Sequence, residues 1–486
     1  MFALSSATIL RPEPRGALLF QQETAETALL DLEGLEALYR LCAPGRTREM
    51  PVSVAGYLLE KGFILSRSPE QSEGAAEGFI VHGSPDDSAV RIEECLEQAK
   101  TTTAPPRSLA APETIHFSVT GRCDQACAGC FYSARPGSDV SVNDAPWELY
   151  ERVIYEAEQA RVFQIALGGG EPLLHPRLVE MVRLARAHRL VPNVTTNGNW
   201  LTRDLAAALK EAGLGQVQIS LNGTTEETNA RTRPNFRWAL AAIEVCRQVG
   251  LRFGINFLVT RSSLEELPAV VNLGRRLGVA SINLLRPKPP TTEGDWLERE
   301  SLDAAGYQQM RKLLSGAQTA SRDSRTETRI TLDASLTFLL TDRPPEQLYR
   351  SGVWGCCAAR KFVTVLQDGA VLPCSHVRQS DASVSGGIMR AWRESQVFAQ
   401  FRALEETMRG HCAGCAYLEL CKGCRAVVLA FGGDPSTALR LHSGQGSGQS
   451  FADSDPHCPH RPVRVVRASG VAQNLGGPHG LRVKDG

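Results

Sequence analysis

The sequence predicts an α/β protein built on parallel strands, and three observations lead there. Between residues 113 and 290, six short β-type runs alternate with helical patterns: TIHFSVT, VFQIALGGG, VPNVTTNG, VQISLNG, RFGINFLVT and ASINLLRP. Strand–helix alternation with short turns implies parallel strands joined by right-handed crossovers, arranged as an open barrel or a wound sheet. The chemically capable residues follow the runs, with Cys123–Cys130 after the first, Gly168–Glu171 after the second, Thr195–Asn199 after the third and Ser220–Gly223 after the fourth. Ligands of such sheets bind at that end of the strands.

Residues 1–65 read as a small opening unit. RGALLF is a strand, LEGLEALYRLC an amphipathic helix, and VAGYLLEKGFIL a helix running into a strand. Residues 66–112, rich in Ser, Pro, Glu and Ala, read as a linker with one helical patch at IEECLEQAK. Within 113–290, PRLVEMVRLARAH places Leu178, Met181, Val182 and Ala185 on one helical face. LAAALKEAG ends at Gly213, a natural helix stop. Residues 291–350 are a bridging segment of mixed helix and loop, and residues 351–460 form a cysteine-rich domain. The Gly/Ser-rich stretch from about 436 and the basic tail at 461–486 are expected to be poorly ordered.

Composition narrows the function. Lys+Arg and Asp+Glu balance at 53 each, which argues against nucleic acid as the partner. No apolar run approaches 18 residues, so no membrane span is expected. MFALSSATILRPEP lacks the basic and apolar regions of a signal peptide, which points to a cytoplasmic protein. Disulfides are rare in that compartment, so 14 cysteines indicate metal or redox chemistry. Cys42, Cys95 and Cys246 stand alone in helix-like segments and read as buried small hydrophobes.

The stretch CDQACAGC holds Cys123, Cys127 and Cys130. Thiolates favour zinc, copper(I) or iron–sulfur clusters. A closed zinc site needs four ligands, and no fourth Cys or His stands near; His116, in the preceding strand, reads as a packing residue. A cubane held by three cysteines leaves one iron open to a ligand. The C-x3-C-x2-C spacing after the first strand resembles the signature of radical S-adenosylmethionine (SAM) enzymes. In that family three cysteines bind a [4Fe–4S] cluster whose fourth iron chelates SAM, and reductive cleavage releases a 5′-deoxyadenosyl radical. The resemblance implies a partial (β/α)6 barrel and an electron donor such as flavodoxin or ferredoxin. Gly168, Gly169, Gly170 and Glu171 resemble the family's GGEP run at the SAM amino group. Glycines there let backbone approach a charged ligand closely. Ser220 and Asn222 resemble the fourth-strand positions that reach the ribose, and Arg231 or Arg233 would meet the SAM carboxylate. The family's aromatic before the third cysteine is replaced by Gly129, with Phe131 and Tyr132 just after; Phe131 is the candidate adenine contact.

Eight further cysteines run from Cys356 to Cys458. Their pattern resembles the SPASM domain, which carries two auxiliary [4Fe–4S] clusters. The resemblance implies that Cys412, Cys415, Cys421 and Cys458 bind the outer cluster. Cys357, Cys374 and Cys424 would bind the inner one, with Cys356 as candidate fourth ligand. Two residues, not the usual three, separate Cys421 from Cys424. Two zinc ribbons are the alternative reading of these eight. His411, His457 and His460 read as neighbours of ligands, not ligands.

SPASM enzymes most often modify peptides or proteins, so the expected substrate is a precursor peptide or protein. The opening unit resembles the small winged-helix domain that captures leader peptides by strand addition, with a plain cap on the barrel as the alternative. A formylglycine-generating sulfatase-type maturase is the nearest rival; it places Asp directly after the cysteine matching Cys374, where this chain has Ser375 and His376. A radical SAM enzyme acting on a small metabolite and a non-catalytic zinc-binding scaffold are two further rivals. Tyr132, Arg286 and Lys288 sit near strand ends, but no catalytic acid or base is singled out.

Overall fold

The computed structural model describes residues 2–43, 52–66, 85–137, 144–289, 295–319, 328–431 and 451–460. The small N-terminal unit comes first. Strands β1 (Phe2–Leu4) and β5 (Ile64–Ser66) pair antiparallel, and β2 (Thr8–Glu13), β3 (Gly16–Gln21) and β4 (Thr27–Asp31) form a second antiparallel sheet in that order. Helix Leu32–Cys42 starts where Asp31 caps the Gly34 N–H at 2.8 Å, and buries Leu35, Leu38 and Cys42 under the sheet. Helices Leu32–Cys42 and Val52–Glu60 follow the sequence expectation.

The segment 66–112 departs from its reading as a linker. Pro85–Thr101 is a helix whose Ile92, Cys95 and Ala99 complete the core of the N-terminal unit. Its Ser88 accepts from the Leu4 N–H, and its Arg91 donates to the Thr8 carbonyl, so it covers the β2 side of the sheet. The Ser/Pro/Glu-rich composition belongs to 67–84, which lies outside the described residues.

The six expected strands are present as β6 (Thr114–Thr120), β7 (Gln164–Gly169), β8 (Val191–Thr196), β9 (Gln216–Ser220), β10 (Phe253–Leu258) and β11 (Ser281–Leu285), all parallel. Helices between them turn apolar stripes inward; Leu178, Met181, Val182 and Ala185 of Leu178–Ala187 are the buried set the spacing predicts. Gly213 takes φ 92° just beyond helix Arg203–Glu211.

The sheet is larger than six strands. β12 (Arg329–Leu332) adds parallel to β11, so part of the expected 291–350 bridge belongs to the sheet. At the other edge β13 (Phe362–Val365) adds parallel to β6, and β14 (Val371–Leu372) returns antiparallel through a turn at Gly369, φ 87°. Among the described residues nine strands thus form one open sheet, ordered β12-β11-β10-β9-β8-β7-β6-β13-β14.

The N-terminal unit docks on the starting ends of these strands. Phe20 stacks on Phe163, just before β7, with ring centroids 4.8 Å apart, and packs with Val191, the first residue of β8. Arg11 pairs with Glu13 at 2.8 Å, donates to the Pro112 carbonyl and lies 4.6 Å over the Phe163 ring. Glu26 meets Arg329, the first residue of β12, at 3.0 Å. Because the main strands are parallel, the cysteine loop after β6 opens at the opposite end.

Candidate functional site

Four loops at the finishing ends of the strands are knitted together. The cysteine loop leaves β6 through Thr120 and Arg122, both bonded to Asp144, the latter at 2.9 and 2.7 Å. The Thr120 and Arg122 carbonyls accept the Gly170 and Glu171 N–H groups at 2.8 and 2.7 Å. Asp124, one residue after Cys123, accepts from Asn197, Asn199 and Trp200 beyond β8 at 2.8, 2.8 and 2.9 Å. Ala128 N–H reaches the Thr232 carbonyl beyond β9 at 3.0 Å. Every loop anticipated from sequence is therefore in one place.

The three thiols are partly buried, and burial pushes Cys123 up to about 12 and raises Cys127. Left alone, Cys123 and Cys127 are protonated; a bound metal deprotonates a thiol and reverses that preference. Arg233 holds its guanidinium 3.6 Å from the Cys127 sulfur, a cation aimed at the loop.

Two glycines of the run are sterically required. A Cβ on Gly169, where φ is 119°, would overlap the Thr120 carbonyl, and one on Gly170 would overlap the Arg122 carbonyl. A Cβ on Gly168 would meet nothing within 4 Å, so open space lies beside that backbone. Glu171 caps the turn Pro172–Leu174 through Leu173 N–H at 3.0 Å and accepts from Thr196 Oγ1 at 2.7 Å and Asn197 N–H at 2.8 Å. Burial pushes its carboxyl up to about 7 against those three donors.

Other expected contacts land differently. Ser220 closes β9, is buried, and its carbonyl accepts from Asn235 Nδ2 at 3.0 Å. Asn222 is 1% exposed, with its amide donating to Thr232 Oγ1 at 2.8 Å and accepting from Leu258 N–H at 2.9 Å. Both ends of that side chain serve the fold, which makes it a brace for the β9 turn. Arg231 is corrected by its geometry: its guanidinium turns outward to the Ser262 carbonyl at 2.9 Å, and Arg233 faces the cysteine loop instead. Phe131 packs on Tyr132 and His376, with centroids 4.5 and 4.4 Å away, and so faces the C-terminal domain.

Sequence reasoning missed Trp296. Its indole is 3% exposed and occupies the space a side chain at Gly129 would need; Gly129 itself has φ 67°. Helix Trp296–Glu300 hangs from the end of β10, where Glu300 accepts from Ser262 Oγ at 2.8 Å. Nothing in the local sequence signals that encounter. Asp124 was discoverable, since it lies inside the cysteine motif.

The C-terminal cysteines gather in two sets. Cys412, Cys415, Cys421 and Cys458 line one pocket with His411, Tyr417 and His460. Cys374 lies within electrostatic reach of Cys356 and Cys424. Cys357 instead points its sulfur at the Gly355 carbonyl, 3.0 Å away, and has Lys361 and Lys422 as its cationic neighbours. Cys356 and Cys424 are thus electrostatic neighbours of Cys374, while Cys357 turns its sulfur toward backbone. The short spacing from Cys421 to Cys424 is accommodated by two successive left-handed residues, Lys422 and Gly423, both at φ 60°. Asp455, in a fully buried pair with Arg286 at 2.6 Å, accepts the Cys424 N–H at 2.9 Å, and so joins the two sets. Among the described residues no three His, Cys, Asp or Glu side chains converge tightly enough to hold a single metal ion.

Residues 117–273 match the family described as the radical SAM superfamily. The AdoMet-dependent heme synthase of Methanosarcina barkeri is 26% identical over 368 residues, 72% of this chain and 97% of that protein. The mycofactocin maturase MftC of Mycobacterium ulcerans is 28% identical over 392 residues, 76% of this chain and 99% of that one. Streptococcus suis SuiB bound to precursor peptide SuiA shares the fold, with a TM-score of 0.65 at 17% identity over 94% of this chain and 100% of that one. The matched segment runs from β6 past β10 and carries the cysteine loop and the glycine run, so that part of the chain is similar to the radical SAM superfamily.

Proposed function

We propose that this enzyme reductively cleaves SAM to a 5′-deoxyadenosyl radical that takes a hydrogen atom from a residue of a ribosomally made precursor peptide or protein. The observation that carries it is the meeting of three thiols and a glycine run at one strand mouth, inside the segment matched to the radical SAM family. Cys123, Cys127 and Cys130 would hold the [4Fe–4S] cluster and leave one iron for SAM. The Gly168–Gly170 backbone would border the cofactor, with Arg233 in place to meet its carboxylate. Cys356, Cys374 and Cys424 would hold an inner auxiliary cluster, and Cys412, Cys415, Cys421 and Cys458 an outer one. The electron would come from a flavodoxin or ferredoxin.

The peptide reading draws on relatives named as maturases, and on PqqA peptide cyclase of Gluconobacter oxydans, 28% identical over 388 residues. The N-terminal unit supports it too. Its three-stranded sheet, followed by helices, is the order of elements that the winged-helix reading calls for. The outer edge of β4 pairs with no strand among the described residues, which leaves an edge for strand addition. A small-metabolite substrate is the second reading, favoured by the heme synthase relative. Among the described residues no helix is long and apolar enough to cross a membrane.

The test uses anaerobically reconstituted protein with SAM, a reductant and candidate peptides. Roughly twelve irons, three cubanes' worth, with release of 5′-deoxyadenosine and a mass change in the peptide are expected. Cys123→Ala, Cys127→Ala and Cys130→Ala should each abolish SAM cleavage and keep the auxiliary iron. Zinc without sulfide, or native cleavage by any of these variants, defeats the reading.

A further inference from the structure

Cys374 to Val377 form a tight turn, closed by the Val377 N–H on the Cys374 carbonyl at 3.1 Å. Within it residue 376 turns two nitrogens toward the Cys374 sulfur: its backbone N–H at 3.5 Å and its ring Nδ1 at 3.5 Å. Both lie at hydrogen-bond range for sulfur. The same imidazole packs on Phe131 with centroids 4.4 Å apart, and Phe131 directly follows Cys130. Arg378 strengthens that junction, donating to the Phe131 carbonyl at 3.3 Å and lying 4.8 Å over the Tyr132 ring. His376 is therefore the side chain through which the inner thiol set touches the cysteine loop of the SAM site.

We propose that His376 is a positioning residue of the inner auxiliary site, its ring N–H hydrogen-bonded to the Cys374 thiolate and its imidazole seated against Phe131. The inference rests on the reading that Cys356, Cys374 and Cys424 hold an iron–sulfur cluster. An iron-bound thiolate carries no proton, so at this distance it can only accept, and Nδ1 must bear the hydrogen. Hydrogen bonds to cluster sulfurs favour the reduced, more negative state and raise the reduction potential. Ser375 and His376 stand where a carboxylate would follow the matching cysteine of a sulfatase-type maturase, so this turn supplies a donor to sulfur and not a carboxylate base.

The experiment is an EPR-monitored redox titration, with iron counting, of the full-length chain. Cys123, Cys127 and Cys130 are replaced by Ala so that only auxiliary signals remain. His376→Phe keeps the ring stack and removes the donor; His376→Gln restores a donor. Expected are an unchanged iron count, a lower midpoint potential for one auxiliary cluster in the Phe variant, and return toward the parent value in the Gln variant. An unchanged potential in His376→Phe overturns the inference and leaves the cluster reading standing. Loss of one cluster's iron from both variants makes His376 an iron ligand and overturns it as well. An iron-free C-terminal domain in the parent overturns the cluster reading, and this inference with it.

Discussion

Glu171 shows how much one acidic side chain does at the mouth. It accepts three hydrogen bonds from two loops, yet burial holds its carboxyl near 7, against an ordinary value of 4.5. A raised value means the native state keeps this proton more firmly than the unfolded chain. The stability it lends is full below about 4.5 and is lost as pH rises through about 7. Glu171 on its own should therefore lower the urea midpoint of the metal-free protein between pH 5 and pH 7.5, against partly buried His116, His376 and His457, whose lowered values act in the opposite direction. Glu171→Gln, which cannot titrate, should abolish that lowering; an identical slope in the variant would remove Glu171 as the cause. Gly129 offers a second test at this scale. Gly129→Ala adds about 1–2 kcal/mol of left-handed backbone strain and a clash with Trp296 worth about 1–3 kcal/mol. Trp296→Ala should cost about 3–5 kcal/mol alone. In the double variant the clash portion should vanish and the strain remain, so the two costs should sum to more than the measured total in urea unfolding.

Elements differ in how plainly the sequence announces them. The strands β6 to β11 are legible because each alternates with a helix whose apolar spacing is unambiguous, as in Leu178–Ala187. β12 and β13 are not, because RITL and FVTV are four residues each and gain their place only from neighbours distant in sequence. Helix Pro85–Thr101 is legible only in its second half, the IEECLEQAK patch, because the polar stretch before it masks Ser88 and Ala89, where its buried face begins. The cysteine sets are readable by spacing, but the choice between Cys356 and Cys357 depends on which way each sulfur turns, and adjacent residues cannot settle that in one dimension. The segment 451–460 depends on one buried pair. Asp455→Asn leaves Arg286 charged and unpaired in a site where both side chains are fully enclosed, a loss of about 3–5 kcal/mol. Because Asp455 also holds the Cys424 N–H, this variant should lower auxiliary iron content while SAM cleavage persists.

At the scale of the whole molecule, the parallel strands hold two ends apart. The thiols and the glycine run stand on one, and the N-terminal unit covers the other through Phe20, Arg11 and Glu26. That unit is part of the enzyme's packing as well as a candidate peptide dock. Removing residues 1–112 should uncover Phe163 and Val191, lower the melting temperature and promote aggregation, since burying each such side chain is worth about 1.5–3 kcal/mol. A truncated chain with unchanged melting would show the unit to be a loose appendage.

The placement of β4 at the foot of the sheet also sets a ruler. β6 alone runs seven residues, Thr114 to Thr120, or about 23 Å at roughly 3.3 Å per residue. A chain tethered along β4 must climb that height outside the strands before any of its atoms can meet the radical. Its first reachable side chain then lies at least about seven residues from the tethered stretch. Shortening that spacer below this length should silence modification without weakening capture.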